Sequence, residues 1–356
     1  RRQRQMCIRD RYWPDLMELT LLLPGLVWLD AYNGHDAARG LTLPALSTLL
    51  GRAQHEPGPL TLSSLFTQWV GQSLPILADA RAYCDEWDER SPYWLMADPV
   101  SIRVELHRAI LIDTEAIGLS EPEALSLIKT LNHHFAADGI KFSAPHPSRW
   151  YIAFTPAQRA YFTPRLDVVG EDINDYLPEG ECGLYWNRFL NEVQMLLHDH
   201  PVNVAREERG ALPVSSVWLW GSGYTQGVTL TSPCYDMVFT DNELLTMVSR
   251  LAQLPFRPLP EQFSSLLADG KAQGRVLVAL EHALASAQYR DVLGWHQALR
   301  QLEVNWFVPI LQALYKRNIN VLKFICHGSS GFSMTLRPRD MWKFWRTPHV
   351  LAQLYS

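Results

Sequence analysis

His200-Pro201-Val202-Asn203-Val204-Ala205-Arg206-Glu207-Glu208-Arg209-Gly210, followed closely by Ser216-Val217-Trp218-Leu219-Trp220-Gly221-Ser222-Gly223, is the stretch on which the reading of the fold turns. Its first half is polar and reads as a loop leaving a helix. Its second half, Val214–Trp220, is apolar and reads as a buried strand. The strand ends in a Gly-x-Gly turn, where backbone can approach a ligand closely. The preceding helix, Cys182–His198, is the most periodic in the chain, with Trp186, Phe189, Leu190, Val193, Leu196 and Leu197 on one face.

The same alternation extends outward. Glu18–Pro24 reads as a buried first strand ending at Pro24-Gly25. Leu43–Ala53 reads as a helix with Pro44 in its first turn, His55–Pro59 as a loop, and Leu60–Val70 as a further helix. Ile102–Asp113 has strand character. Ser120 and Glu123 form a capping box that starts a helix with Ala124, Leu127, Ile128, Leu131 and Phe135 on one stripe. Ile140–Phe154 reads as a hairpin broken at Pro145-His146-Pro147. Beyond Trp220 come a helix over Asp241–Leu254 capped by Asp241, a strand over Arg275–Leu280, and a long helix over Asp291–Tyr315 that Pro309 should kink. A hairpin pairs Asn320–Cys326 with Gly331–Leu336. Strands alternating with helices at both ends predict an α/β core with parallel pairing. The middle predicts an inserted α+β domain. The expected division is a core of residues 17–97 and 211–356, an insertion at 98–210, and a leader at 1–16 that does not read as natural protein, so that the natural start falls at Met17.

Bulk properties narrow the function. Apolar residues make up 47% and charged residues 19% of 356, which fits a folded protein with a sizeable core. Residues 1–16 hold five arginines against Asp10 and Asp15, so the rest of a chain of net charge −5 is more acidic still. An acidic body does not attract nucleic acid, and no nucleic-acid partner is expected. No run approaches the roughly 18 apolar residues that span a bilayer, so no membrane partner is expected either. Five scattered cysteines with no C-x-x-C pair read as free thiols in a reducing cytoplasm. Most of the thirteen tryptophans are expected in the core.

The segment at 200–223 resembles the signature of archaeal-type, cofactor-independent phosphoglycerate mutases, a branch of the alkaline-phosphatase superfamily. Ala97-Asp98-Pro99-Val100 through Asp113, then Leu119-Ser120-Glu121-Pro122-Glu123-Ala124, resembles the family's entry into its substrate domain, and Pro44–Ala53 resembles an early helix. Trp94–Val100, Arg149-Trp150-Tyr151 and Asn191–His198 look like a proteobacterial, regulatory-protein-like offshoot. The resemblance implies an alkaline-phosphatase-like core sheet flanked by helices. In an active member it also implies a serine nucleophile and two divalent ions (Mn, Zn, Co or Mg) clamping the oxygens of a phosphoryl transfer.

This chain departs from that pattern. The family's first ligand lies in an Asp-Gly dipeptide after strand one, where this chain has Leu23-Pro24-Gly25-Leu26. A late Asp-His pair is replaced by Cys326-His327-Gly328-Ser329-Ser330-Gly331. The family's arginine four residues after Asp98 is displaced to Arg103. The expectation is therefore a protein without the dinuclear site, inactive as a mutase, and acting as a small-anion-binding or regulatory module. Its ligand would be a small phosphorylated or carboxylate metabolite, with a protein partner left open. The alternative is an active metal-dependent mutase or phosphatase with ligands rebuilt from Asp30, His35, Asp36 and His327.

The expected substrate-binding residues are Asp98, Arg149, His200, Asn203, Arg206, Gly221 and Gly223. A guanidinium fork suits phosphate or carboxylate, and a turn after a strand can offer N–H groups to an anion. Each has a plainer reading. His198-Asp199-His200 sits at a helix end, where histidines serve as caps or meet the helix dipole. Asn203 can make an Asx turn. Arg209 reads as a solvated ion-pair residue, and Glu192 as helix surface or a general base.

Overall fold

The computed structural model describes residues 17–30, 32–68, 75–87, 93–155, 159–221, 235–268 and 273–355. Among these, twelve strands form two sheets. The strands are β1 (Met17–Leu22), β2 (Gln54–Pro57), β3 (Tyr93–Val104), β4 (Ala109–Ile112), β5 (Lys141–His146) and β6 (Arg149–Phe154), followed by β7 (Ser216–Trp220), β8 (Met237–Phe239), β9 (Phe256–Arg257), β10 (Arg275–Ala279), β11 (Ile319–Ile325) and β12 (Phe332–Leu336).

The first sheet runs β2-β12-β11-β1-β10-β8-β9. Its pairs from β11 to β9 are parallel, and β12 and β2 add antiparallel strands at one side. The α/β expectation holds. Central parallel strands are covered on both faces, so they read as near-continuous apolar runs. In β10, Val276 and Val278 face one core, while Leu277 and Ala279 face the other.

The second sheet is antiparallel and hangs on the long β3. Residues 93–96 of β3 pair with β6, residues 96–100 with β7, and residues 101–104 with β4. Alternation is clean here too. Leu95, Ala97, Trp150, Ile152, Val217 and Leu219 meet the helices Glu121–Phe135 and Gly183–His198. Trp94, Met96, Tyr151, Trp218 and Trp220 turn the other way and join Leu22, Val238, Leu277 and Ile325 of the first sheet in one apolar cluster. That shared cluster bonds the two sheets through burial of large aromatic surface.

Sheet membership does not follow the expected domain limits at 97/98 and 210/211. The first limit falls inside β3, and the second leaves β7 with the core although it pairs with β3. An apolar strand carries no mark of which sheet it joins.

Several local expectations are met. Ser120 and Glu123 form the capping box, and Ala124, Leu127, Ile128, Leu131 and Phe135 are buried. The β5–β6 and β11–β12 hairpins form as read. Trp28, Trp87, Trp94, Trp150, Trp186, Trp218, Trp220, Trp295 and Trp306 are core residues, whereas Trp342 and Trp345 are exposed.

Others are corrected. The polar stretch after His200 is a helix, Pro201–Glu208, started by proline at its first turn and capped by the His200 ring. Gln54–Pro57 is an edge strand rather than a loop, fully exposed and therefore without apolar alternation. Ile102–Asp113 is broken by a turn in which Glu105 and Arg108 bond each other's backbone. The helix after β8 is capped by Asn242, whose Oδ1 accepts the Leu245 N–H, while Asp241 accepts the Leu259 N–H instead. Pro309 acts through a π-helical turn at Glu303–Phe307. That turn swings the Glu303 carboxylate onto the N–H groups of Ala45 (2.6 Å) and Leu46 (3.1 Å). Glu303 thus caps the helix Pro44–Arg52, whose own cap position is Leu43.

Candidate functional site

In open α/β sheets, ligands bind in the crevice beyond the carboxyl ends of the parallel strands. Here that crevice lies under the second sheet and has two adjoining chambers that share Leu62, Leu166, Val169 and Gln288. One, of about 480 Å³, is lined by Asp167, Glu171, Asp175, Glu179 and, just past β11, His327. The other, of about 430 Å³, is lined by Arg81, Arg149, Arg165, Asp113, Glu115, Glu243 and, just past β10, Glu281.

The wall of the second chamber is a buried charge network centred on Asp98. Asp98 is fully buried on β3. It accepts two bonds from Arg81 (2.6 and 3.0 Å), one from Arg165 Nε (2.8 Å) and one from Trp220 Nε1 (2.9 Å). Burial alone would raise its pKa, but the Arg81 and Arg165 charges and these bonds hold it below the usual carboxylate range. Asp85 forms the second node. It accepts from Arg149 Nε (3.0 Å) and Tyr151 Oη (2.6 Å) and lies 3.8 Å from Arg81 Nε. At the rim, Arg149 pairs with Glu243 and Arg165 with Asp113. Arg81 comes from the helix Pro75–Cys84 and Arg165 from a short 3₁₀ turn. Neither stands in a motif, and the only sequence sign of Arg81 is a charge inside an alanine-rich apolar helix.

Of the expected site residues, Arg149 lines the second chamber, and Asp98 lies buried behind its arginines. The others lie elsewhere. Asn203 is buried and its amide is fully used: Nδ2 donates to the Leu197 and Val214 carbonyls (2.7 and 2.8 Å), and Oδ1 accepts the Val214 N–H (2.9 Å). Arg206, also buried, donates to the Leu212 and Ile117 carbonyls and to Glu123. Glu123 also takes the exposed Arg209 at 2.5 Å. Burial tends to raise its pKa, but bonds from Ser120 and the two arginines bring it down to about 2. His200 Nδ1 accepts the Val202 N–H at 3.2 Å, and its Nε2 meets the Thr130 hydroxyl at 3.0 Å. Burial lowers its pKa, which favours the neutral ring such a cap requires.

The 200–210 motif thus fastens the helix Pro201–Glu208 between the start of Glu121–Phe135 and the entry to β7. Gly221 takes φ of +60°, and a Cβ there would meet Met96 Cε at 2.2 Å. The left-handed backbone, more than the flexible end of Met96, therefore explains the glycine. Gly223 lies outside the described residues. His198, Asp199 and Glu192 are exposed, and Glu192 faces His134 at 3.4 Å.

Of three buried titratable groups in the crevice, Glu281 and Asp167 escaped sequence reading, whereas His327 stood in the alternative ligand set. The Glu281 carboxyl is pushed up to about 7 by burial, against the bond from Asn242 Nδ2 (3.1 Å) to Oε2, and its Oε1 has no hydrogen-bond partner. His327 is buried with its Nδ1 unpartnered, and burial lowers its pKa to about 4. Asp167 accepts from Ser63 N and Oγ (2.8 and 2.5 Å), and burial raises its pKa.

A two-metal centre needs several carboxylate and imidazole donors around shared ions. β1 is followed by Leu23, Pro24 and Gly25, and β11 by a buried Cys326 and His327. Gly25 takes φ of +75°, and a Cβ there would lie 2.6 Å from Leu284 Cα, so this glycine serves close backbone packing. His35 and Asp36 are exposed. Among the described residues no group of three or more His, Cys, Asp or Glu is disposed to hold a metal ion.

Residues 97–203 match the family model described as 2,3-bisphosphoglycerate-independent phosphoglycerate mutase. A mutase of that name from Methanosarcina mazei is 32% identical over 146 residues, covering 40% of this chain and 37% of the relative. A second, from Methanothermobacter thermautotrophicus, is 30% identical over 188 residues, covering 50% and 46%. The matches thus span less than half of these relatives' lengths. A cofactor-independent phosphoglycerate mutase from Thermoplasma acidophilum aligns over 96% of this chain and 95% of its own, with 13% identity and a TM-score of 0.43. The chain is similar to the cofactor-independent phosphoglycerate mutases, at modest identity. The family match begins at β3 beside Asp98 and ends at Asn203, inside the 200–223 signature.

Proposed function

We propose that this chain is a phosphoglycerate-mutase-like protein of the proteobacterial, regulatory type. In this reading it binds a small phosphorylated or carboxylate metabolite in the cytoplasm without catalysing the mutase reaction. The observation that carries the reading is the convergence of Arg81, Arg149 and Arg165 on one chamber of the crevice. Guanidinium forks are the side chains best matched to phosphate and carboxylate.

All three arginines are already paired, and the pairing defines how an anion could enter. Asp98 and Asp85 are buried partners and stay in place. Asp113 and Glu243 are rim partners, 28% and 52% exposed, and can yield to an incoming anion at low cost. Glu281, uncharged below about pH 7, adds no repulsion there. Loss of the mutase reaction is supported by the residue types beyond β1 and β11, which replace carboxylates with Pro24 and Cys326.

Calorimetric titration of metal-stripped protein with 3-phosphoglycerate, then with Mn and Zn, tests the reading. Binding without metal, weakened about tenfold by Arg149→Ala through loss of a charge-assisted bond, is the expected result. Two tightly held ions per chain together with interconversion of phosphoglycerates would establish the active enzyme instead.

A further inference from the structure

We infer that the C-terminal turn at Trp342–Arg346 docks this protein onto an anionic lipid surface. Trp342, Phe344 and Trp345 are 71%, 80% and 69% exposed, although most of the chain's tryptophans are buried. Phe344 and Trp345 meet edge to face at 5.4 Å.

The turn is firmly seated. Met341 and Leu351 anchor it in the core, Arg52 donates to the Met341 carbonyl (2.8 Å), and Arg346 donates to that of Ala53 (3.0 Å). A Cβ on Gly51 would lie 2.3 Å from the Thr347 carbonyl oxygen, so the segment rests directly on the helix Pro44–Arg52. The aromatic rings therefore project from a fixed platform.

Charge selects the partner. Between residues 337 and 350 stand Arg337, Arg339, Lys343 and Arg346 against a single carboxylate, Asp340. Asp340 is buried, pairs with Lys343 at 2.6 Å and accepts the Arg337 N–H. Arg52, which holds the Met341 carbonyl, also donates to the exposed Tyr315 hydroxyl at 2.6 Å, and the exposed Lys316 and Arg317 follow directly in the chain. A basic rim around a small cluster of exposed Trp and Phe, on a chain of net charge −5, matches the headgroup boundary of an anionic bilayer. No helix among the described residues is long and apolar enough to cross a membrane, so docking would be at the surface.

The test is co-sedimentation of the full chain with phosphatidylcholine vesicles and with vesicles containing about one-third phosphatidylglycerol. Expected is binding to the anionic vesicles, reduced about tenfold by Trp342→Ser with Trp345→Ser and again by Arg339→Glu with Lys316→Glu. Circular dichroism would confirm that each variant folds, and the aromatic and charge pairs are independent checks on each other. No binding by the wild-type chain, or binding that both variants retain, overturns the inference. So does a concentration-dependent dimer that the aromatic variant abolishes, since a second copy would then cover the patch.

Discussion

Replacing Asn203 by alanine separates a structural from a ligand-binding role for the best-marked motif in this chain. The Asn203 side chain makes three buried hydrogen bonds, to the carbonyls of Leu197 and Val214 and from the Val214 N–H. Each contributes about 1 kcal/mol net, and the stranded backbone groups add a desolvation cost, so the loss should be about 3–4 kcal/mol. Asn203→Asp should cost at least as much, because it keeps the acceptor for Val214 N–H but turns a carboxylate toward two carbonyls. Urea unfolding at 25 °C, followed by tryptophan fluorescence, gives the difference directly. Affinity for 3-phosphoglycerate, measured where both proteins are folded, should not change. A stability loss below about 1 kcal/mol, or a selective loss of affinity in a protein of unchanged stability, would refute the clamp.

Three further outcomes follow from the same contacts. Asp98→Asn removes the charge that two buried arginines share and should destabilise by about 3–5 kcal/mol, read as a lower urea midpoint. The folded-state pKa of Glu281 is raised from 4.5 to about 7, so its contribution to stability is fully present below about pH 4.5 and is lost as pH rises through 7. Glu281→Gln should therefore flatten the stability profile between those values by about 3 kcal/mol relative to wild type; parallel profiles would show that the carboxyl is not held neutral. Cys326 is buried and its thiol is pushed well above its usual pKa, so it should resist alkylation in native protein while half-buried Cys182 reacts, as mass spectrometry of the labelled peptides would report.

Much of the architecture was legible because burial imposes periodicity. The parallel strands of the first sheet are covered on both faces and announce themselves as apolar runs, as do the one-sided helices Glu121–Phe135 and Gly183–His198. The edge strand Gln54–Pro57 and the helix Pro201–Glu208 were not legible, since one is wholly exposed and the other carries its buried positions on Asn203 and Arg206. The site divides in the same way. Asp98 and Arg149 stand in stretches that resemble a known family and so drew notice, but Arg81, Arg165 and Glu281 come from scattered elements with no common motif. Conversely, Asn203 and Arg206 looked like ligand groups because a polar side chain that satisfies backbone and one that binds substrate share the same chemistry. Only the count of bonds already made tells them apart.

Asp98 has a consequence for motion. It stands on β3, yet its two guanidinium partners reach it from the helix Pro75–Cys84, packed against the first sheet's helix Glu243–Leu251, and from the turn Arg165–Asp167. Swinging one sheet away from the other would pull these groups apart in a medium that cannot rehydrate them. The network thus resists separation of the two sheets, and in the proposed reading a metabolite would enter by local displacement of Asp113 and Glu243 at the rim rather than by the opening and shutting of a jaw.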